Sequence, residues 1–479
     1  MQHSKSTKQF TEIADYCQEE SSLPNLFSSL IKLLDLSYIN KLLSKTKKRG
    51  FESKNIFQVL FTIRFLNFDN IHQLMGAGIS KDLMHKKDVL YDFLNNPRID
   101  WAKIVLLFAK QVLNIIKMKT ENTVSLLPKF LVVDDSLLPK TGKKIEAMGK
   151  VFDHCTGAYL LGMKLLTLGY YDGKSFLPLG FTMHHEPGKT KNRGLKKKEL
   201  KAQFSKERSP DNPGARRIQE VGQSKISAAL GMIVQILKMK KFIQVDYVLA
   251  DSWFITKDFI NGILKCRKDV GVIGLMKTNR KIIINDKTYI INQIPEIRQK
   301  AIKNSSKFKC RYLQLNFIYK DIPMRGYWIQ MKGQNNWKLL ISTDSKLTFL
   351  KAMKYYQTRW TIEVFFKDCK QNLGLNKCQS KDFDAHIANT SIVFMNYMIL
   401  ALKKRFEDYE TIGGLFRELK DSLTELTLFA KIWRLLMQVF LPVLAELGVD
   451  WEEFTRKTIR DTQQILGLPE KLNRAWEAT

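Results

Sequence analysis

The chain is poor in the features that would place it outside the cell or in a membrane. Its 479 residues hold six cysteines, Cys17, Cys155, Cys266, Cys310, Cys369 and Cys378, and none forms a CxxC pair. The seven histidines do not combine with them at zinc spacings. A disulfide framework and a zinc-ribbon site are therefore excluded, and isolated thiols point to a reducing compartment. The first residues, MQHSKSTKQFTEIADYCQEE, lack the apolar centre of a signal peptide. No long apolar run goes uninterrupted: Leu428 to Val449 is broken by Lys431, Arg434, Pro442 and Glu446, which reads as a packed helix pair rather than a membrane span. Internal repeats and long low-complexity segments are missing too. We expect a soluble, cytoplasmic protein with no membrane partner.

Acidic residues are also scarce. There are 47 Asp and Glu against 78 Lys and Arg, a formal net charge of +31. Such an excess on a folded chain favours a polyanion, because each neutralised phosphate releases condensed counterions. Solubility alone, or a lysine-rich source, would give the same composition, so charge steers the reading toward nucleic acid without proving it. With 44% hydrophobic and 11% aromatic residues, the chain can bury a sizeable core in two to four domains.

From Leu23 to about Lys119, apolar residues recur at three- and four-residue spacing, predicting a helical domain. FLVVDDS, YLLGMKLLTLGYYD and SFLPLGFTM then read as three adjacent strands. Between His184 and Lys225 lies a polar, basic tract without apolar periodicity, expected as an exposed loop. Whether it is an idle surface loop or touches backbone phosphate stays open. A helix over 215–241, the strand DYVLADSWF, a helix from Lys257 and the strand VGVIGLM follow. Residues 279–344 alternate apolar and polar in short runs, as antiparallel β structure does. A long helix over 346–373 and further helices to the end complete the pattern.

Asp134 and Asp251 each close an apolar strand, FLVV and YVLA. Carboxylates at the carboxyl ends of buried strands project into the crevice where ligands of open α/β sheets bind. Adjacent acids repel unless a cation relieves them, and oxygen ligands suit Mg²⁺ or Mn²⁺. Each Asp could instead cap a turn. Asp135 is a rival to Asp134, since neighbours on one strand point to opposite faces. Asp134 is preferred because it directly follows the apolar run. In the following helix, Tyr356, Arg359, Glu363 and Lys370 fall within a stripe roughly 60° wide at about 100° per residue. One face would thus join a carboxylate to a phenol, a guanidinium and an ammonium, with Ile362, Val364 and Phe365 left to pack. A solvated face with an Arg359–Glu363 pair is the plainer alternative.

The order Tyr356, two residues, Arg359, three residues, Glu363, six residues, Lys370 resembles the YREK signature of DDE transposases from bacterial insertion sequences, specifically the insertion-sequence-four group. The likeness covers about Phe130 to Leu375. It implies an α/β fold: a ribonuclease H-like catalytic core interrupted by an antiparallel β insertion, with helical N- and C-terminal regions. The expected parts are a helical domain over 1–125 for DNA-end binding and a first core part over 126–278. A β-rich insertion over 279–345, a catalytic helix over 346–380 and a helical region over 381–479 complete them. The last, from Thr411 onward, is either a dimer surface or plain core.

The resemblance assigns Asp134, Asp251 and Glu363 to catalysis and to metal binding, with two Mg²⁺ or Mn²⁺ ions. It gives Tyr356, Arg359 and Lys370 to transposon-end phosphates. Trp360 matches a family variant, Lys367 lies on the same helix, and Trp328 or Trp337 would stack on a flipped base. The implied partners are double-stranded DNA with terminal inverted repeats and target DNA, held by a homodimer in a synaptic complex on the bacterial nucleoid. The implied chemistry is in-line displacement at phosphorus: hydrolysis frees a 3′-hydroxyl, which forms a hairpin and later joins target DNA. A ribonuclease H-like nuclease that cuts without joining, and a domesticated DNA-binding protein without activity, are the alternatives. A tyrosine recombinase would need a second Arg and a His that the Tyr356 region lacks.

Overall fold

The computed structural model describes residues 37–46, 50–65, 68, 70–76, 87–119, 127–240, 242–406 and 409–421. Most of the C-terminal region expected to dimerise, and the stretch from Leu428 to Val449, lie outside these residues. The chain divides into two compact units, one of residues 1–37, 59–85 and 409–479, the other of 38–58 and 86–408. In the first, Phe65 packs on Phe416 with ring centroids 5.6 Å apart.

The described N-terminal elements are all helical: α1 (Ser37–Ser44), α2 (Ser53–Thr62), α3 (Ile71–Gly76), α4 (Lys87–Leu94) and α5 (Trp101–Lys119). The larger unit is then built on a twelve-stranded mixed sheet. Strands β1 (Phe130–Pro139), β2 (Gly149–Asp153), β3 (Ala158–Tyr171) and β4 (Phe176–His184) come first. The three expected strands are β1, β3 and β4, with β3 antiparallel between the other two. The short β2, paired to the start of β3, was not anticipated. β1 then pairs in parallel with β5 (Tyr247–Ala250), and β5 with β6 (Gly271–Met276). Phe130 to Val133 are buried on both faces, as expected of strands covered by helices on either side, which is why this stretch reads as a continuous apolar run.

The rest of the sheet is antiparallel: β7 (Lys281–Ile284), β8 (Lys287–Ile290), β9 (Lys303–Ser305), β10 (Cys310–Tyr319), β11 (Ile322–Met331) and β12 (Lys338–Ser342). β12 pairs with β6, so these strands extend the same sheet. The β7–β8 turn has Asn285 and Asp286 both at positive φ, 48° and 60°, the conformation a tight two-residue hairpin needs.

Between β4 and β5 the basic tract is not a bare loop. It carries α6 (Lys197–Lys201) and α7 (Pro213–Glu220). The helix expected over 215–241 is two, α7 and α8 (Lys225–Leu237), interrupted around Gly222. After α9 (Lys257–Cys266) and the short α10 (Ile294–Ile297) in the β-rich stretch come α11 (Phe349–Gln357), α12 (Trp360–Gln371) and α13 (Phe383–Phe406). By length and composition α13 could cross a membrane, but its side chains are buried on every side inside the protein. Phe365 of α12 packs edge-on against Phe394 and Tyr397 of α13, and Phe176 and Phe181 of β4 complete the aromatic core.

The single helix expected over 346–373 is also two. At the junction, Thr358, Arg359, Thr361 and Ile362 each donate their backbone N–H three residues back rather than four. Such tightening redirects a helix without glycine or proline. The stripe of four residues thus crosses a break, with Tyr356 on α11, Arg359 at the junction, and Glu363 and Lys370 on α12.

Candidate active site

Val133 of β1 is the partner of Ala250 in β5, so the next residues, Asp134 and Asp251, stand at the same level. Asp251 ends its strand as expected, but β1 does not close at Asp134: it stays paired with β3 as far as Pro139, and only its pairing with β5 stops there. The acids lie 117 residues apart in sequence and side by side in the sheet. Asp134 faces α12: Arg359 donates one guanidinium nitrogen to its Oδ2 and the other to Glu363 Oε1 at 2.6 Å. A single guanidinium therefore joins the first strand acid to the helix acid.

Alternation along β1 sends Asp135 the other way, where it pairs with Lys225 at the start of α8. The two adjacent acids have different partners on different faces. Ser136 returns to the first face and accepts a hydrogen bond from Lys370 Nζ at 2.7 Å.

The electrostatics are strained on the Asp134 side. Burial pushes its carboxyl up to about 7, against the pull of Arg359 and with repulsion from Asp135 and Asp251. Burial also pushes the Tyr356 phenol up to about 12, with Arg359 opposing and Asp251 and Asp134 adding to the rise. That hydroxyl is buried and makes no well-formed hydrogen bond among the described residues, and the Arg359 guanidinium sits 5.7 Å from the ring centre. Burial lowers the Lys370 ammonium, so it gives up its charge more readily than a free lysine.

Asp134, Asp251, Glu363, Tyr356, Arg359 and Lys370 thus meet in one place. They do not close on a common point: among the described residues no three His, Cys, Asp or Glu side chains stand at the spacing of a shared ion. Between Asp134 and Glu363 stands Arg359.

The outlying residues divide. Trp360 is 62% exposed and Lys367 is also exposed. Trp337 is half-buried, with Arg311 5.8 Å from its ring centre. Trp328 is a correction: it is fully buried, packs against Phe317 and donates its indole N–H to Ile291 O at 2.8 Å. It belongs to the core of the antiparallel part and offers no face to a base. Val364, expected to pack inward, is 42% exposed.

Trp253 was missed. Two residues after Asp251 it is 54% exposed, with Lys225 and Lys277 each 5.3 Å from its ring centre. The signal was an aromatic two positions past a strand-end acid, in DSW, where a core aromatic has no strand left to pack on.

The arrangement brings two carboxylates from neighbouring strands, a helix carboxylate and the cations Arg359 and Lys370 to one region of the sheet. Residues 77–296 match the family described as DDE superfamily endonuclease, and residues 224–399 the family described as Transposase DDE domain. The first match spans both Asp134 and Asp251, the second Asp251 and Glu363. No curated protein matches. Among solved structures, a piggyBac transposase synaptic complex with hairpin DNA is similar at 14% identity, covering 83% of this chain and 77% of that one, with a TM-score of 0.37. So loose a superposition places no individual residue.

Proposed function

We propose that the protein is a DDE transposase that cuts the ends of a DNA element and joins them to target DNA. The observation that carries this reading is the convergence of Asp134 and Asp251, level on adjoining parallel strands, with Glu363 through the shared Arg359. The strand order β4-β3-β1-β5-β6, antiparallel through β1 and parallel from there on, supports a ribonuclease H-like core. On this reading 126–278 and 346–380 form that core, 279–345 is its insertion, 1–125 binds element ends and 381–479 serves dimerisation.

The donor set suits a hard divalent ion. It is all oxygen, and burial, with a smaller push from Asp135 and Asp251, raises the Asp134 carboxyl, a cost that a bound cation would relieve. Asp134, Asp251 and Glu363 would hold Mg²⁺ or Mn²⁺. Such an ion, when bound, supplies a Lewis acid for a phosphate oxygen and a water of lowered pKa. Released from its two acids, Arg359 can grip a phosphate bidentately, while Lys370 and Lys367 add charge along the same helix. Trp253 and Trp360 offer exposed rings beside this path. The hairpin route and a homodimer on paired inverted-repeat ends belong to the same proposal.

The test is nicking of supercoiled plasmid in Mg²⁺ by the wild type and by D251N. The reading expects the variant to lose on the order of 10³-fold in rate. Equal nicking by both would end the catalytic assignment. Labelled element ends then separate joining from mere cutting, and cutting without joining identifies a nuclease.

A further inference from the structure

The tract between β4 and α7 is the most basic stretch that the carboxylate site does not use. From 186 to 206 it has eight cations and two acids. The structure shows it held in place. Arg193 O accepts from Lys150 N at 2.8 Å, and Arg193 Nη2 donates to Gln203 Oε1 at 3.0 Å. Gln203 Nε2 donates to Met148 O at 3.0 Å, and Phe204 N to Lys144 O at 2.8 Å. The turn that starts it is tight: a Cβ on Gly188, which has φ +74°, would come within 2.7 Å of the Gly194 nitrogen. Its far end is fixed by Lys206 and Arg208, which pair with Asp382 and Asp384 near the start of α13, Arg208 also with Glu146.

This fixed segment lies against the β1–β2 connection and adds its charge to that of Lys143, Lys144 and Lys150. The exposed ammonium groups include Lys196, Lys197, Lys198 and Lys201, and Glu199 is already paired with Lys143 at 2.8 Å. β1 leads from one site to the other: Asp134 beside Arg359, Ser136 beside Lys370, then Pro139 and the basic connection. At about 3.3 Å per residue, Asp134 to Pro139 spans roughly 17 Å, or about five base-pair steps of duplex.

We propose that residues 186–206, together with the β1–β2 connection, form a preformed ridge that binds the phosphate backbone of duplex DNA several base pairs away from the cutting site. Its occupant follows from charge. Anchored ammonium groups with almost no competing acid suit a regular polyanion, and main-chain anchoring means little ordering cost on binding. The inference rests on the transposase reading for the position of the cut, though not for the ridge's affinity.

The test is the salt dependence of binding to a long duplex, for the full-length wild type and for K196Q/K197Q/K198Q/K201Q. Each lost phosphate contact makes the slope of log K against log salt shallower by about 0.9. The variant is expected to be shallower by about two to four, and the matching Lys→Arg variant to keep the wild-type slope. An unchanged slope in the Gln variant, with its unfolding midpoint also unchanged, overturns the ridge. If D251N abolishes nicking while the slope stays put, the ridge alone is wrong. If D251N nicks normally while the slope falls, the ridge stands and the catalytic reading fails.

Discussion

Two arginines in this protein each stand between acids, and they behave differently. Arg208 is 3% exposed and donates to both oxygens of Glu146, at 2.9 and 2.6 Å, and to Asp384 at 3.1 Å. Glu146 also accepts the backbone N–H groups of Lys206 and Phe383, and its carboxyl is lowered overall, Arg208 outweighing the cost of burial. Arg359 is more open, 16% exposed, and holds one oxygen each of Asp134 and Glu363. Asp134 nonetheless rises to about 7, and the nearby Tyr356 hydroxyl lacks a well-formed partner. In the first cluster two cations, Lys206 and Arg208, face the acids and Glu146 is lowered, although burial still raises Asp384; in the second a single arginine is shared by two acids. A buried network with more of its charge paired serves the fold, whereas one with less at the mouth of a sheet is where a ligand gains most.

The contrast breaks most readily at Arg208. An R208A variant leaves Glu146 with only the backbone N–H groups of Lys206 and Phe383, and Asp384 with only the Lys206 ammonium, and should lose about 3–5 kcal/mol, read from urea unfolding. A loss near zero would mean the network is not the anchor described here.

Next in size is a buried histidine on the Asp135 side. Burial lowers His184 to about 4 from an ordinary 6.5, with Lys225 adding to the fall. A depressed folded pKa means its contribution is present above about pH 6.5 and is lost as pH drops through 4. That loss amounts to at most about 3 kcal/mol. In H184Q the acid slope of stability over this window should flatten; an unchanged slope would assign it to other groups.

The smallest effect is expected at Arg359. Near pH 7 Asp134 can take up a proton at little cost once the guanidinium is gone, so R359A should lose under about 1.5 kcal/mol. A loss as large as that of R208A would erase the distinction between the two clusters.

How much of this was legible in the sequence follows from which physical signals are local. The two acids were visible because the apolar runs FLVV and VLA are buried and each gives way to Asp, although β1 itself runs on past Asp134 to Pro139. The spacing of Tyr356, Arg359, Glu363 and Lys370 marked the helix region, but the break at Thr358–Arg359 has no glycine or proline to announce it. Trp328 misled because Tyr327 and Trp328 are both buried, so period two does not separate a wet face from a dry one in β11. The anchoring of Arg208 was hidden because its acids lie 62 and 176 residues away, beyond any local pattern. The split fate of Asp134 and Asp135 needed the packing of α8 and α12, which only the folded chain supplies.

The central claim is that Asp134, Asp251 and Glu363 together hold a divalent ion where DNA is cut. Electron paramagnetic resonance of Mn²⁺, titrated into wild type, D134N, D251N and E363Q, counts the ion each protein removes from solution. The account predicts uptake by the wild type that drops at least about tenfold in affinity in every variant. Uptake identical in all four proteins would contradict it.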